Sequence, residues 1–153
     1  MASSDVDAPV ADVFAFLVDL RNHWRLAGAW IDVVALTPPD GPATGATVRL
    51  RGPVGLVLAV RTKVEDVEAP STIRGRGSCG RSRAGVQWRL DDIDDARTRV
   101  RVEVRLRRAS PVHRLLWGAG GRGWLERRLA ATVGGLGREL RAYEREPLAA
   151  VAT

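Results

Sequence analysis

Leu125-Glu126-Arg127-Arg128-Leu129-Ala130-Ala131-Thr132-Val133-Gly134-Gly135-Leu136-Gly137-Arg138-Glu139-Leu140 carries an apolar side chain at every third or fourth position, and Tyr143 extends the row. That spacing is one stripe on a helix of about five turns. Pro147 is expected to end the helix, leaving 148–153 as a tail. A single helix with one apolar stripe has to bury it on something, and a sheet is the partner that the upstream sequence offers.

Upstream of Pro111 the period is two. Val86-Gln87-Trp88-Arg89-Leu90 and Val100-Arg101-Val102-Glu103-Val104-Arg105-Leu106 alternate apolar and charged residues, which predicts strands with one packed face. Asp91-Asp92-Ile93-Asp94-Asp95 reads as their hairpin connection. Trp30 to Leu36, Gly45 to Arg51, Val54 to Val67 and Ser71 to Cys79 add further strands, separated by Gly and Pro turn signals such as Pro38-Pro39-Asp40-Gly41. Before them, Asp7 is placed to cap a helix with Pro9 in its first turn and Val10, Val13, Phe14 and Leu17 on one face. Asp19 to Gly28 predicts a second short helix closed by Gly28. The predicted fold class is α+β: a curved antiparallel sheet wrapped around a long C-terminal helix, in one domain over 1–147.

The segment Val6-Asp7-Ala8-Pro9-Val10-Ala11-Asp12-Val13-Phe14-Ala15-Phe16-Leu17-Val18-Asp19, followed by Trp24, resembles the first helical region of the START-like (SRPBCC) superfamily. Gly45 before an amphipathic strand, Leu106 near the end of the last strand, and Leu125 to Leu140 in the final helix match as well. The resemblance covers almost the whole chain in element order. It implies a helix-grip fold with an apolar cavity between sheet and helix. It also implies a hydrophobic ligand such as a lipid, sterol or polyketide, and in some members polyketide cyclase or aromatase activity. Only Met1 to Val6 precede Asp7-Ala8-Pro9, so the first strand is expected to be very short.

Composition narrows the function classes. The 153 residues carry 24 basic and 18 acidic side chains, a net charge of +6. Lys63 is the only lysine, and arginine in place of nearly every lysine points to a GC-rich, bacterial coding genome. The arginines are spread from Arg21 to Arg145, without the clustering that marks a nucleic-acid surface, so no nucleic-acid partner is expected. The longest apolar run, Val54 to Val60, is of strand length and too short for a membrane span. One cysteine, Cys79, excludes an internal disulfide framework, and with no secretory leader visible a cytoplasmic location is expected.

Two stretches fit G-x-G-x-x-G and neither has the context of a dinucleotide site. Gly75 to Gly80 leads into another strand, and Gly118 to Gly123 is followed by too little chain for a βαβ unit. His23 and His113 stand alone, with no ligand spacing around them, so neither a metal nor any other cofactor is expected. Five tryptophans against two Phe and one Tyr are the more informative feature. Trp88 lies on the apolar side of its strand, Trp24 and Trp30 flank the end of the second helix, and Trp117 and Trp124 begin the long one. The expected ligand-binding residues are Trp24, Trp30, Leu50, Leu58, Trp88, Trp117, Gly121, Trp124 and Gly137. The two glycines are included as devices that enlarge the cavity or hinge the helix. His23 is the candidate polar group inside, and Arg49, alternating with Val48 and Leu50, should face solvent.

Three functions stand at this point. The first is binding of a hydrophobic small molecule; the second is a cyclase or aromatase working in the same cavity. The third is an interaction module for nucleic acid or protein that uses the surface arginines. A homodimer is compatible with each.

Overall fold

A computed structural model describes residues 1–151, with side chains through Glu146. The elements run β1 (Ala2–Val6), α1 (Val10–Val18), α2 (Leu20–Ala27), β2 (Ile31–Thr37), β3 (Gly45–Arg51), β4 (Val57–Glu68), β5 (Thr72–Cys79), β6 (Ser82–Asp94), β7 (Arg97–Arg108), α3 (Pro111–Leu116) and α4 (Arg122–Val151). All seven strands form one antiparallel sheet in the order β1-β7-β6-β5-β4-β3-β2. The short β1 completes the sheet by pairing along β7, from Ala2 opposite Val102 to Val6 opposite Thr98.

Register assigns the faces. Ile73, Trp88 and Val102 pair across β5, β6 and β7 on the inner face, and Arg74, Gln87 and Glu103 on the outer one. Val13, Phe16 and Leu17 of α1, with Leu129, Val133, Leu136 and Leu140 of α4, bury this inner row. Truncating one Leu or Ile to Ala in such a core costs roughly 2–5 kcal/mol. Sheet curvature has a local cause at β5. A Cβ on Gly75 would lie 2.8 Å from the Lys63 carbonyl oxygen, so only glycine lets β4 approach there, beside the irregularity between Val64 and Asp66.

Several boundaries differ from expectation. The residue before α1 is Pro9, whose carbonyl receives the Asp12 and Val13 amides, and Asp7 makes no cap. The acidic run is not a loop. β6 continues through Asp91 and Asp92 to Asp94 because β7 sets Arg99, Thr98 and Arg97 opposite them, and Arg101 reaches Asp91 at 3.1 Å. Pro147 does not end α4, which continues to Val151 through Leu148, Ala149 and Ala150, residues of high helix propensity. Asp19, directly before α2, caps it and does more: one carboxylate oxygen accepts from the Arg21 amide at 3.0 Å and from the Ala43 amide at 2.9 Å, tying α2 to the chain before β3. No helix among the described residues is long and apolar enough to cross a membrane.

Candidate functional site: an incompletely covered inner face

Burial falls along the inner face from one end to the other. Ile73, Val100 and Val102 are 2% exposed or less. One row further, Val64, Val86 and Val104 are half-buried, with Gly75 paired between the first two. Leu50 and Leu58, directly opposite each other on β3 and β4, are half-buried too, as are Val60 and Leu106. Between these walls the paired residues are small: Thr62, Gly77 and Ala84 lie side by side. A Cβ built on Gly77 would touch one atom only, Cγ1 of Val60 at 3.5 Å. α4 presses on β1, α2 and β7, so it covers one side of the sheet more than the other. This half-buried apolar stretch of the inner face, with small residues along its middle, is termed the trough below.

The tryptophans take different places. Trp88 is buried in the last closed row. Trp30, beyond α2, meets Trp124 of α4 edge to face, and the Arg128 guanidinium lies 5.7 Å from the Trp124 ring centre. Trp24 and Trp117 are half-buried. The Nε1 of Trp24 is buried with no acceptor among the described residues, an arrangement that costs about 1–3 kcal/mol unless something accepts from it.

His23 stands against Trp88, ring centres 5.1 Å apart. Its Nε2 donates to the Leu17 carbonyl, because a carbonyl can only accept. In the neutral ring Nδ1 therefore carries the free lone pair. Burial pushes its pKa below the ordinary histidine value, against the opposing effects of the Leu17 carbonyl and the Asp19 charge. The ring is therefore neutral at pH 7, with Nδ1 unprotonated.

The two glycines separate. A Cβ on Gly121 would lie 2.6 Å from the Leu116 carbonyl oxygen, so this glycine serves the π turn Trp117–Gly121 that joins α3 to α4. Gly137 faces Val6 of β1 and Arg141, each 3.8 Å from a Cβ, away from the trough. Arg49 is exposed on the outer face as expected. Cys79 ends the inner face of β5, and burial raises its thiol pKa, the opposite of what activates a nucleophile.

Sequence reasoning passes over Gly77, Ala84 and Val60, because only strand register reveals that they share a face with Val86, which its alternation with Trp88 already places there. It also passes over Ser82 and the role of His113. The buried Ser82 hydroxyl accepts from the Ser110 amide at 3.0 Å and lies 2.5 Å from His113 Nδ1, fastening α3 to β6. Among the described residues no three His, Cys, Asp or Glu side chains gather as metal ligands.

Among solved structures, an aromatase/cyclase from Streptomyces sp. R1128 superimposes with a TM-score of 0.65 at 17% identity, covering 95% of this chain and 94% of that one. A protein from Arthrobacter aurescens gives 0.65 at 16% identity, over 92% and 84%. One from Thermus thermophilus gives 0.61 at 16%, over 93% and 96%. At these identities the likeness is one of fold, the helix-grip fold. No curated protein sequence matches the chain. A family profile described as polyketide cyclase/dehydrase and lipid transport matches residues 2–141. The chain belongs to the polyketide cyclase/dehydrase and lipid-transport family.

Proposed function

We propose that this protein binds a hydrophobic small molecule, a lipid, a polyketide or a compound of similar character, in the trough between β3–β6 and α4. The observation that carries the reading is the burial gradient: apolar side chains on the inner face remain half-exposed at one end while their neighbours in the same strands are closed off. Covering such surface is worth roughly 25 cal/mol per Å², so an apolar ligand there gains without help from charge. Trp24 Nε1 adds one directional donor, suited to a carbonyl or hydroxyl oxygen of the ligand.

A second reading, cyclase or aromatase activity in the same trough, draws support from His23. A neutral histidine with its tautomer fixed by Leu17 is suited to take a proton from an acidic carbon of a folded polyketide chain.

Native mass spectrometry of gently purified protein tests the first reading. An added noncovalent mass that disappears on denaturation and extracts into organic solvent supports it. If the bare mass is found, and titration with lipids and aromatic polyketides leaves tryptophan fluorescence unchanged, the reading fails.

A further inference from the structure

We infer that the end of the molecule bearing the β3–β4, β5–β6 and β7–α3 connections is a docking surface for an anionic lipid bilayer. Three stretches contain no acidic residue: 41–64, 69–90 and 104–125. They hold fourteen of the 24 basic residues and none of the 18 acidic ones. In the sequence they are separated by 65–68 and 91–103, which hold eight of the 18 acids. The antiparallel order brings all three connections to one end of the sheet, since Leu50 pairs with Leu58, Cys79 with Ser82 and Arg83 with Arg108. Arg61, Arg81, Arg83, Arg107, Arg108 and Arg114 there have no acidic partner among the described residues. Two recesses, of about 590 and 430 Å³, open among them and have no acidic residue in their walls.

Charge alone would suit any polyanion. The apolar residues of the same end select the bilayer. Val54, Leu115, Val112 and Val57 are 104%, 72%, 64% and 57% exposed, more than any other large apolar side chain among the described residues except Met1. Val54 is the tip of the β3–β4 connection. Val112, Leu115 and Leu116 form an i, i+3, i+4 stripe on the solvent side of α3, because His113 on the other side is held by Ser82. Val54 has φ +52° and ψ +33°, a left-handed conformation that a β-branched residue rarely adopts. Asparagine or glycine would suit that turn better, so what the valine offers is an apolar tip. Apolar tips ringed by arginine are the arrangement that inserts into the headgroup boundary of an acidic membrane.

Co-sedimentation with vesicles tests the inference, using phosphatidylcholine alone and phosphatidylcholine mixed with phosphatidylglycerol. The protein is expected to pellet with the mixed vesicles only, and to be released by high salt. Replacing two tips at once, Val54→Asp with Leu115→Asp, should weaken partitioning at least tenfold while the circular dichroism is kept and the melting temperature does not fall. Charge reversal at Arg108→Glu with Arg114→Glu should weaken it similarly. Absence of pelleting, or equal pelleting on both vesicle types, overturns the proposal. So does double-tip binding that equals wild type, above all if the protein is retained as well on duplex DNA, because the arginines then recognise anions without a bilayer. These readouts need no bound ligand, so they stand or fall apart from the trough.

Discussion

Trp30 and Trp124 meet edge to face with ring centres 5.5 Å apart and planes at 88°. One follows α2 and the other opens α4, so this contact joins the end of α2 to the start of α4. Edge-to-face pairs add about 0.5–1.5 kcal/mol beyond the area they bury. A double-mutant cycle with Trp30→Ala and Trp124→Ala, read by urea unfolding, should recover a coupling of that size. If the pair also closes over a ligand, either single variant will release it faster, which stopped-flow fluorescence reads.

Gly77 lies among the small residues of the trough with room above it. Gly77→Leu should preserve the fold, judged by circular dichroism, and abolish ligand capture in native mass spectrometry. Gly137→Leu is the contrast. That glycine faces Val6 and Arg141, so its substitution should strain the packing of α4 on β1, lowering the melting temperature more than it alters capture. The reverse pattern would mean that the ligand lies along the middle of α4.

Val54 holds a left-handed conformation at full exposure. Val54→Asn or Val54→Gly removes backbone strain of roughly 1–2 kcal/mol. The melting temperature should rise by about 2–4 °C per kcal/mol recovered for a chain of this length. The same variants should bind acidic vesicles less well, an opposition of stability and binding that thermal melts and sedimentation together can detect.

His23 gives stability a direction with pH. Its folded pKa is lowered while the unfolded chain has the ordinary value near 6.5. Above that value both states are neutral and the histidine contributes no slope. As the pH falls below it, the unfolded chain takes a proton that the folded one refuses, so stability drops, by at most about 1.4 kcal/mol per pH unit. His23→Gln, which retains a donor for Leu17, should flatten urea-derived stability between about pH 6.5 and 5 relative to wild type.

The architecture is readable because each element announces its own period. The alternation in Val100 to Leu106 and the stripe from Leu125 to Leu140 are local facts, and together they leave one way to bury both. Phe16 is harder to see: it packs in the core and stacks edge-on with Tyr143, yet the apolar face read from Val10, Val13, Phe14 and Leu17 does not include it. The acidic run misleads because clustered aspartates suit a loop, whereas here the exposed side chains stand on extended strand opposite arginines several residues away. The trough and the charge pattern belong to a further level. Gly77 joins the trough only when Thr62 and Ala84 are set beside it, and scattered arginines become a cluster only when hairpins bring their tips together.

That segregation works at both ends. The end opposite the arginine-rich connections carries Asp5, Asp7, Asp40, Glu65, Asp66, Glu68 and the Asp91–Asp95 aspartates, ten of the 18 acids. Six of those ten, Asp5, Glu65, Asp66, Glu68, Asp91 and Asp94, are paired with arginines, so this end largely neutralises itself. Arg61, Arg81, Arg83, Arg107, Arg108 and Arg114 of the other end have no such partners among the described residues, and their field reaches into the solvent. An approaching anion is therefore steered toward one end of the strands, and added salt weakens that steering.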